Sequence, residues 1–212
     1  MAAYLPPIEK PKGMLIKVAY RIARRMFGKV PEGMKVFVPR MPAGFMSFSS
    51  KIYRLDKKLQ LASETAMLIR QQVSSTNGCS ACMDVGRWFA LRKSADNAAR
   101  FDALWEYRTS PQFSDAERAA LDYATELTAN KMVSPDTFTR LASHYSEREI
   151  CDIVWLIASQ HLANMTNIGL GIGSDGLCEL ALERASATSR KATHQDVHRV
   201  NSNASSSDGA RM

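Results

Sequence analysis

Twice in the second half of the chain, a serine is followed three residues later by a glutamate and then by apolar residues at helical spacing. Ser114-Asp115-Ala116-Glu117 and Ser146-Glu147-Arg148-Glu149 are capping boxes, in which each side chain satisfies the other residue's backbone donor. The first predicts a helix to about Ala129, with Ala120, Leu121, Ala124 and Leu127 on its apolar face. The second opens the longest helix, to about Leu170. Ile150, Ile153, Val154, Ile157, His161, Met165 and Ile168 run along one side of it, and Gly171 and Gly173 end it.

Helical signals recur through the rest of the chain. Met14, Leu15, Val18, Ile22 and Met26 form an apolar stripe between Gly13 and Gly28, with Lys17, Arg21, Arg24 and Arg25 on the other side. Val30 to Gly44 contains Pro31, Gly33, Pro39 and Pro42 and reads as a connector. Helices are predicted over 46–58 and 62–75, from Ser94 or Asp96 through Trp105 and Tyr107, and from Pro135 to about His144. A last one is expected from Ser174 to about Ala187. Beyond Thr188, Ser, Asn and charge dominate without aromatics, the composition of a disordered tail. No segment alternates with period two. The fold class is therefore all-α, with residues 1–45 as a basic arm, helix and connector, 46–187 as the helical domain and 188–212 as the tail.

Between two of these helices lies Asn77-Gly78-Cys79-Ser80-Ala81-Cys82-Met83-Asp84-Val85-Gly86-Arg87. Asn77-Gly78 marks a turn, and Ala81 to Leu91 read as helix, so Cys79 and Cys82 fall in a first helical turn. Free backbone N–H groups and the positive end of the helix dipole favour a thiolate there. The spacing also lets the sulfurs close a disulfide. A zinc site would need a second close pair of ligands. Cys151, Cys178, His144 and His161 supply none, and His194 and His198 sit in the tail. Redox chemistry without metal or bound cofactor is the expectation.

Four cysteines in 212 residues do not make a secreted disulfide scaffold. No apolar run reaches the length of a membrane span, and no secretory signal is evident, so a cytoplasmic location is expected. Net charge is +7, and the basicity is concentrated: residues 1–60 hold 13 Lys/Arg against 3 Asp/Glu. Docking of the 13–28 helix on the core or on a neighbouring subunit is preferred to membrane-surface contact. Specific nucleic-acid binding is not expected, because no recognised module accompanies the charge.

The cysteine segment resembles that of the carboxymuconolactone decarboxylase and alkylhydroperoxidase D-like family. The stretch from Glu106 to Leu121 and the long helix with Asn164 and Asn167 are similar to later parts of that family's core, so the resemblance covers roughly residues 46–173. It implies an oligomeric alkylhydroperoxidase D-like helical bundle, here with an extra N-terminal amphipathic helix. It further implies either ring-acid decarboxylase chemistry or a thiol peroxidase recycled by a thiol reductant, with Cys82 attacking a small hydroperoxide and Cys79 resolving. The family's proton-relay glutamate and two histidines correspond here to Met67, Ala81 and Gly86, which looks like a sub-branch with Gly after the cysteine pair. Substitutes are Glu64, one turn before Met67; Asp84, close to Cys82; and His161, on the long helix. A decarboxylase would need a cation for substrate carboxylates, for which Arg70 and Arg87 are available. A third possibility is a non-enzymatic oligomer.

Overall fold

The computed structural model describes residues 3–181. The chain divides into two units, 1–177 and 178–212, and the first is described below. Its helices are α1 (Met14–Phe27), α2 (Glu32–Phe37), α3 (Pro42–Asp56), α4 (Ser63–Thr76), α5 (Ser80–Lys93), α6 (Ala95–Asp102), α7 (Asp115–Asn130), α8 (Pro135–Ala142) and α9 (Glu147–Gly169), with a 3-10 turn at Leu104–Glu106 after α6. Among the described residues there is no strand.

Local chemistry fixes the helix ends. Ser114 with Glu117 and Ser146 with Glu149 form both reciprocal capping boxes, and the side chains of Ser94 and Ser134 cap α6 and α8. Gly28 ends α1 in the left-handed conformation, at φ 87°.

α4 is the hub, packing against α5, α7 and α9. Its Ile69 and Val73 meet Ala120 and Ala124 of α7 and Ile153, Leu156 and Ile157 of α9 in the main core, with Leu141 of α8. The alanines let the helix backbones approach closely. A second cluster joins Leu68 of α4 to Ala90, Phe101, Leu104, Tyr107, Phe113 and Leu121. Asp152 is buried on α9, where it accepts from the backbone N–H groups of Gln60 and Leu61.

The structure corrects several expectations. The 30–44 connector contains α2. Pro31 stands just before that helix, where its missing N–H is no loss. In α1 the stripe of large apolar residues faces outward. Ile16, Tyr20 and Ala23 are buried instead, against Val30, Val38 and Met34, and the Tyr20 hydroxyl donates to the Ile8 carbonyl. In α9, Leu156 and Asn164 are on the buried face, whereas Val154, Met165 and Ile168 are exposed. α6 stops at Asp102, leaving Trp105 exposed. The expected final helix and tail lie outside the described residues, apart from helical residues 177–181.

Candidate functional site

α4 ends at Thr76, and the chain reverses through Gly78, whose φ of 69° is one that L side chains rarely adopt. The Cys79 N–H returns to the Ser74 carbonyl at 2.9 Å. Cys79 thereby becomes the N-cap of α5, and its sulfur accepts from the Cys82 backbone N–H at 3.4 Å. Cys79 and Cys82 are joined as a disulfide, with Cα atoms 5.3 Å apart. Cys79 is 1% exposed and Cys82 9%, so Cys82 is the sulfur-bearing residue nearer to solvent.

Around the pair pack Val36 of α2, Ala81 and Ile172, with Leu170 at the edge. Among the described residues, one polar side chain reaches the sulfur: Asn167 Nδ2 donates to Cys82 Sγ at 3.2 Å. The carbonyl oxygen of the same amide lies over Gly33 of α2, where a Cβ would stand only 3.0 Å from it. The helix that sequence reading missed thus supplies an apolar wall (Val36) and a bare position (Gly33) that accommodates the amide. One turn before Asn167, Asn164 is fully buried. It donates to the Val73 carbonyl and accepts from Ser74 and Gln160, tying α9 to α4 below the site.

The other sequence candidates are placed elsewhere or do other work. Glu64 is an exposed acid in the first turn of α4, 3.8 Å from Arg100. The cysteines follow the far end of that helix, about 20 Å away at 1.5 Å per residue. His161 has Asn77 on Nδ1 and Thr128 on Nε2, each at 3.3 Å, and burial followed by the nearby Lys131 charge lowers its pKa. Asp84 is buried. Its Oδ2 accepts from Ser174 Oγ and from the N–H groups of Asp175 and Leu177, all at 3.0 Å, fastening that segment to α5. The space beside Gly86 is filled by the Oε1 end of the Gln71 side chain, with Phe101 close by. Met67 packs against the second core cluster, and Ala81 lies in the site wall. Arg70 is bound to Asp56 and Gln160, and Arg87 holds Asp102 through two parallel bonds. Both guanidiniums proposed for substrate carboxylates already face protein partners.

An apolar cavity of about 370 Å³ adjoins the cluster. Leu5, Val36, Phe37, Met41, Met165 and Leu170 line it, with Arg40 and Thr166 as its polar members. It shares Val36 and Leu170 with the surroundings of the cysteines. Among the described residues, no group of three His, Cys, Asp or Glu side chains is placed to hold a metal. None of the described helices is long and apolar enough to cross a membrane.

No family model matches the chain. It is 27% identical over 183 residues to the uncharacterised protein YnjA of Escherichia coli, a match covering 85% of this chain and 99% of the relative. Among solved structures, the debrominase Bmp8 superposes with a TM-score of 0.69 at 22% identity, over 84% of this chain and 95% of Bmp8. Bmp8 has also been solved as a cysteine-to-alanine variant in complex with 2,3,4-tribromopyrrole. A peroxidase-related alkylhydroperoxidase AhpD core from Ralstonia eutropha gives a TM-score of 0.65 at 21% identity, over 81% and 95% of the two chains. At these identities the likeness establishes the fold, an all-α AhpD-like bundle.

Proposed function

We propose that the chain is a thiol-dependent oxidoreductase whose Cys79–Cys82 pair reduces a small, largely apolar hydroperoxide. The observation that carries this reading is the pairing of a disulfide at the start of α5 with the Asn167 amide donating to Cys82 Sγ. An N-terminal helical turn and a donor on the sulfur both favour the thiolate. Cys82, the more exposed of the two, attacks the outer peroxide oxygen. The O–O bond breaks, the alcohol leaves with a proton, and Cys82 becomes a sulfenic acid. The Cys79 thiol displaces hydroxide from it, forming the disulfide and releasing water. A dithiol reductant then returns two electrons and two protons. The cavity beside Val36 and Leu170 supports an organic substrate, since its volume and lining suit a small apolar molecule.

Peroxide consumption with a dithiol reductant tests the proposal. Turnover of an organic hydroperoxide is expected to vanish in both Cys82→Ser and Cys79→Ser. Turnover that survives both substitutions refutes it.

The apolar cavity also favours a second reading, reductive dehalogenation of an apolar ring, in which two thiols and a carbon–bromine bond give a carbon–hydrogen bond, a disulfide and hydrogen bromide. Bromide release from 2,3,4-tribromopyrrole, dependent on both cysteines and exceeding peroxide turnover, would select it over the first.

A further inference from the structure

α1 carries an outward face that the protein's own core does not use. Ile16, Tyr20 and Ala23 point inward. On the opposite side Met14, Leu15, Val18, Ile22 and Met26 are exposed at 76%, 73%, 46%, 56% and 41%. At 100° per residue these five occupy one continuous sector of the helix; Lys17, Arg21 and Arg24 occupy the adjoining one, and Arg25 lies at the same edge, between Met14 and Val18. All four cations are exposed, and none has an ion-pair partner among the described residues. The first turn of α1 contains no acid.

Exposed apolar residues in one sector, bordered by unpaired cations, are what an interfacial helix presents to lipid. The apolar strip suits the boundary between headgroups and acyl chains, and the basic strip suits phosphate oxygens. α1 is already held as a helix by its inner face, so docking requires no helix formation. Charge argues against a second copy as the occupant. Two such faces meeting about a two-fold axis would bring the same cations together, with no acid on either helix, in a chain of net charge +7. Residues 182–212 supply no complement either, since they hold more Lys and Arg than Asp and Glu.

We propose that the outward face of α1 docks the protein on an anionic bilayer surface, with Met14, Leu15, Val18, Ile22 and Met26 entering the interface and Lys17, Arg21, Arg24 and Arg25 meeting lipid phosphates. The helix lies on the membrane and does not cross it. This is independent of the cysteine chemistry.

Co-sedimentation of the full chain with vesicles tests it. Binding is expected to vesicles of phosphatidylcholine mixed with phosphatidylglycerol and not to phosphatidylcholine alone. It should weaken with added salt as the screening length falls from about 10 Å at 0.1 M to about 3 Å at 1 M. One cation near an anionic surface contributes about a fivefold factor in binding. Arg21→Glu with Arg25→Glu should therefore lower partitioning by at least about 20-fold. Val18→Ser with Ile22→Ser should also lower it, while circular dichroism and cysteine alkylation stay as in the wild type, because both positions are exposed. No binding to the mixed vesicles, equal binding to both vesicle types, or binding indifferent to these substitutions overturns the proposal. So does light scattering in which Val18→Ser with Ile22→Ser splits a wild-type oligomer, which would assign the face to a second copy.

Discussion

Replacing Asn167 with alanine removes the polar side chain that reaches the Cys82 sulfur, at 3.2 Å. A hydrogen bond to a charged group contributes about 1.5–3 kcal/mol. At 1.36 kcal/mol per unit, its loss should raise the Cys82 pKa by about 1–2 units. The N-terminal turn of α5 is untouched, so its share of thiolate stabilisation remains. The clean measurement uses a Cys79→Ser background, with iodoacetamide alkylation followed against pH. The midpoint should move up by that amount, while the rate at high pH, where the thiol is fully ionised, changes little. Asn167→Asp should move the midpoint further in the same direction, because it sets a carboxylate beside the sulfur. Gly33→Ala offers an indirect route, since its Cβ would stand 3.0 Å from the Asn167 carbonyl oxygen and push the amide away. A smaller upward shift is expected there. If Asn167→Ala folds normally and leaves the midpoint where it was, the amide does not stabilise the thiolate and the reasoning fails.

Gly86→Ala and Gln71→Ala should be strongly non-additive in denaturant unfolding. Alanine at 86 collides with the Gln71 amide, whose Oε1 is buried without a hydrogen-bond partner among the described residues. In the Gln71→Ala background the same change should stabilise by up to ~1 kcal/mol, the helix-propensity gain, whereas additive effects would show that the two side chains do not compete. Asp84→Ala strips three hydrogen bonds from residues 174–177 and should cost about 3 kcal/mol, with new proteolytic cleavage in that segment; unchanged stability would rule out the bracing role. His161 titrates in the folded protein below its ordinary 6.5, so the folded chain binds fewer protons than the unfolded chain around that pH. Its contribution is complete above the unfolded pKa and is lost as pH falls from there towards the folded one. The melting temperature should therefore drop less steeply on acidification in His161→Gln than in wild type, and parallel curves would refute this.

The helices with chemical punctuation were legible in the sequence: both capping boxes, the glycine end of α1 and the cysteine pair opening α5 are all local signals. Features that depend on a distant partner were not. α2 has six residues, too few for a period to declare itself, and its Pro31 and Gly33 read as breakers. Pro31 is harmless at a helix start, and Gly33 leaves room for an amide that arrives from α9, more than a hundred residues later. The inward face of α1 was misjudged because size and apolarity alone do not identify what a neighbour can receive. Tyr20 and Ala23 go inward because one finds a carbonyl acceptor and the other permits close approach. Asn167 did leave a signal, lying three residues after Asn164 on a largely apolar helix. Nothing local, however, says that one amide meets backbone and the other meets sulfur. Asp84 reads as a relay substitute because it is close to Cys82 in sequence, and the partners of its Oδ2 lie some ninety residues downstream.

The wall over the cysteines is drawn from both ends of the described chain. The Lys29 ammonium and the Glu32 N–H bind Asp175 across 146 and 143 residues, and the Tyr4 N–H meets the Leu170 carbonyl. Loop closures of that length carry the largest entropic cost in the molecule and offer no local contacts to offset it early. Helices α4, α7 and α9, by contrast, already share a core without the first forty residues. With that core formed, Asn167 and Leu170 already stand beside the cysteines, and Val36 of α2 is the part of the wall still missing. On the side that Val36 covers, the pair is reachable by an oxidant or a foreign thiol whenever the N-terminal segment is undocked. Shortening the N-terminal segment is therefore expected to raise the yield of mixed disulfides when the chain refolds with oxidised glutathione, read by mass spectrometry, and an unchanged yield would count against this.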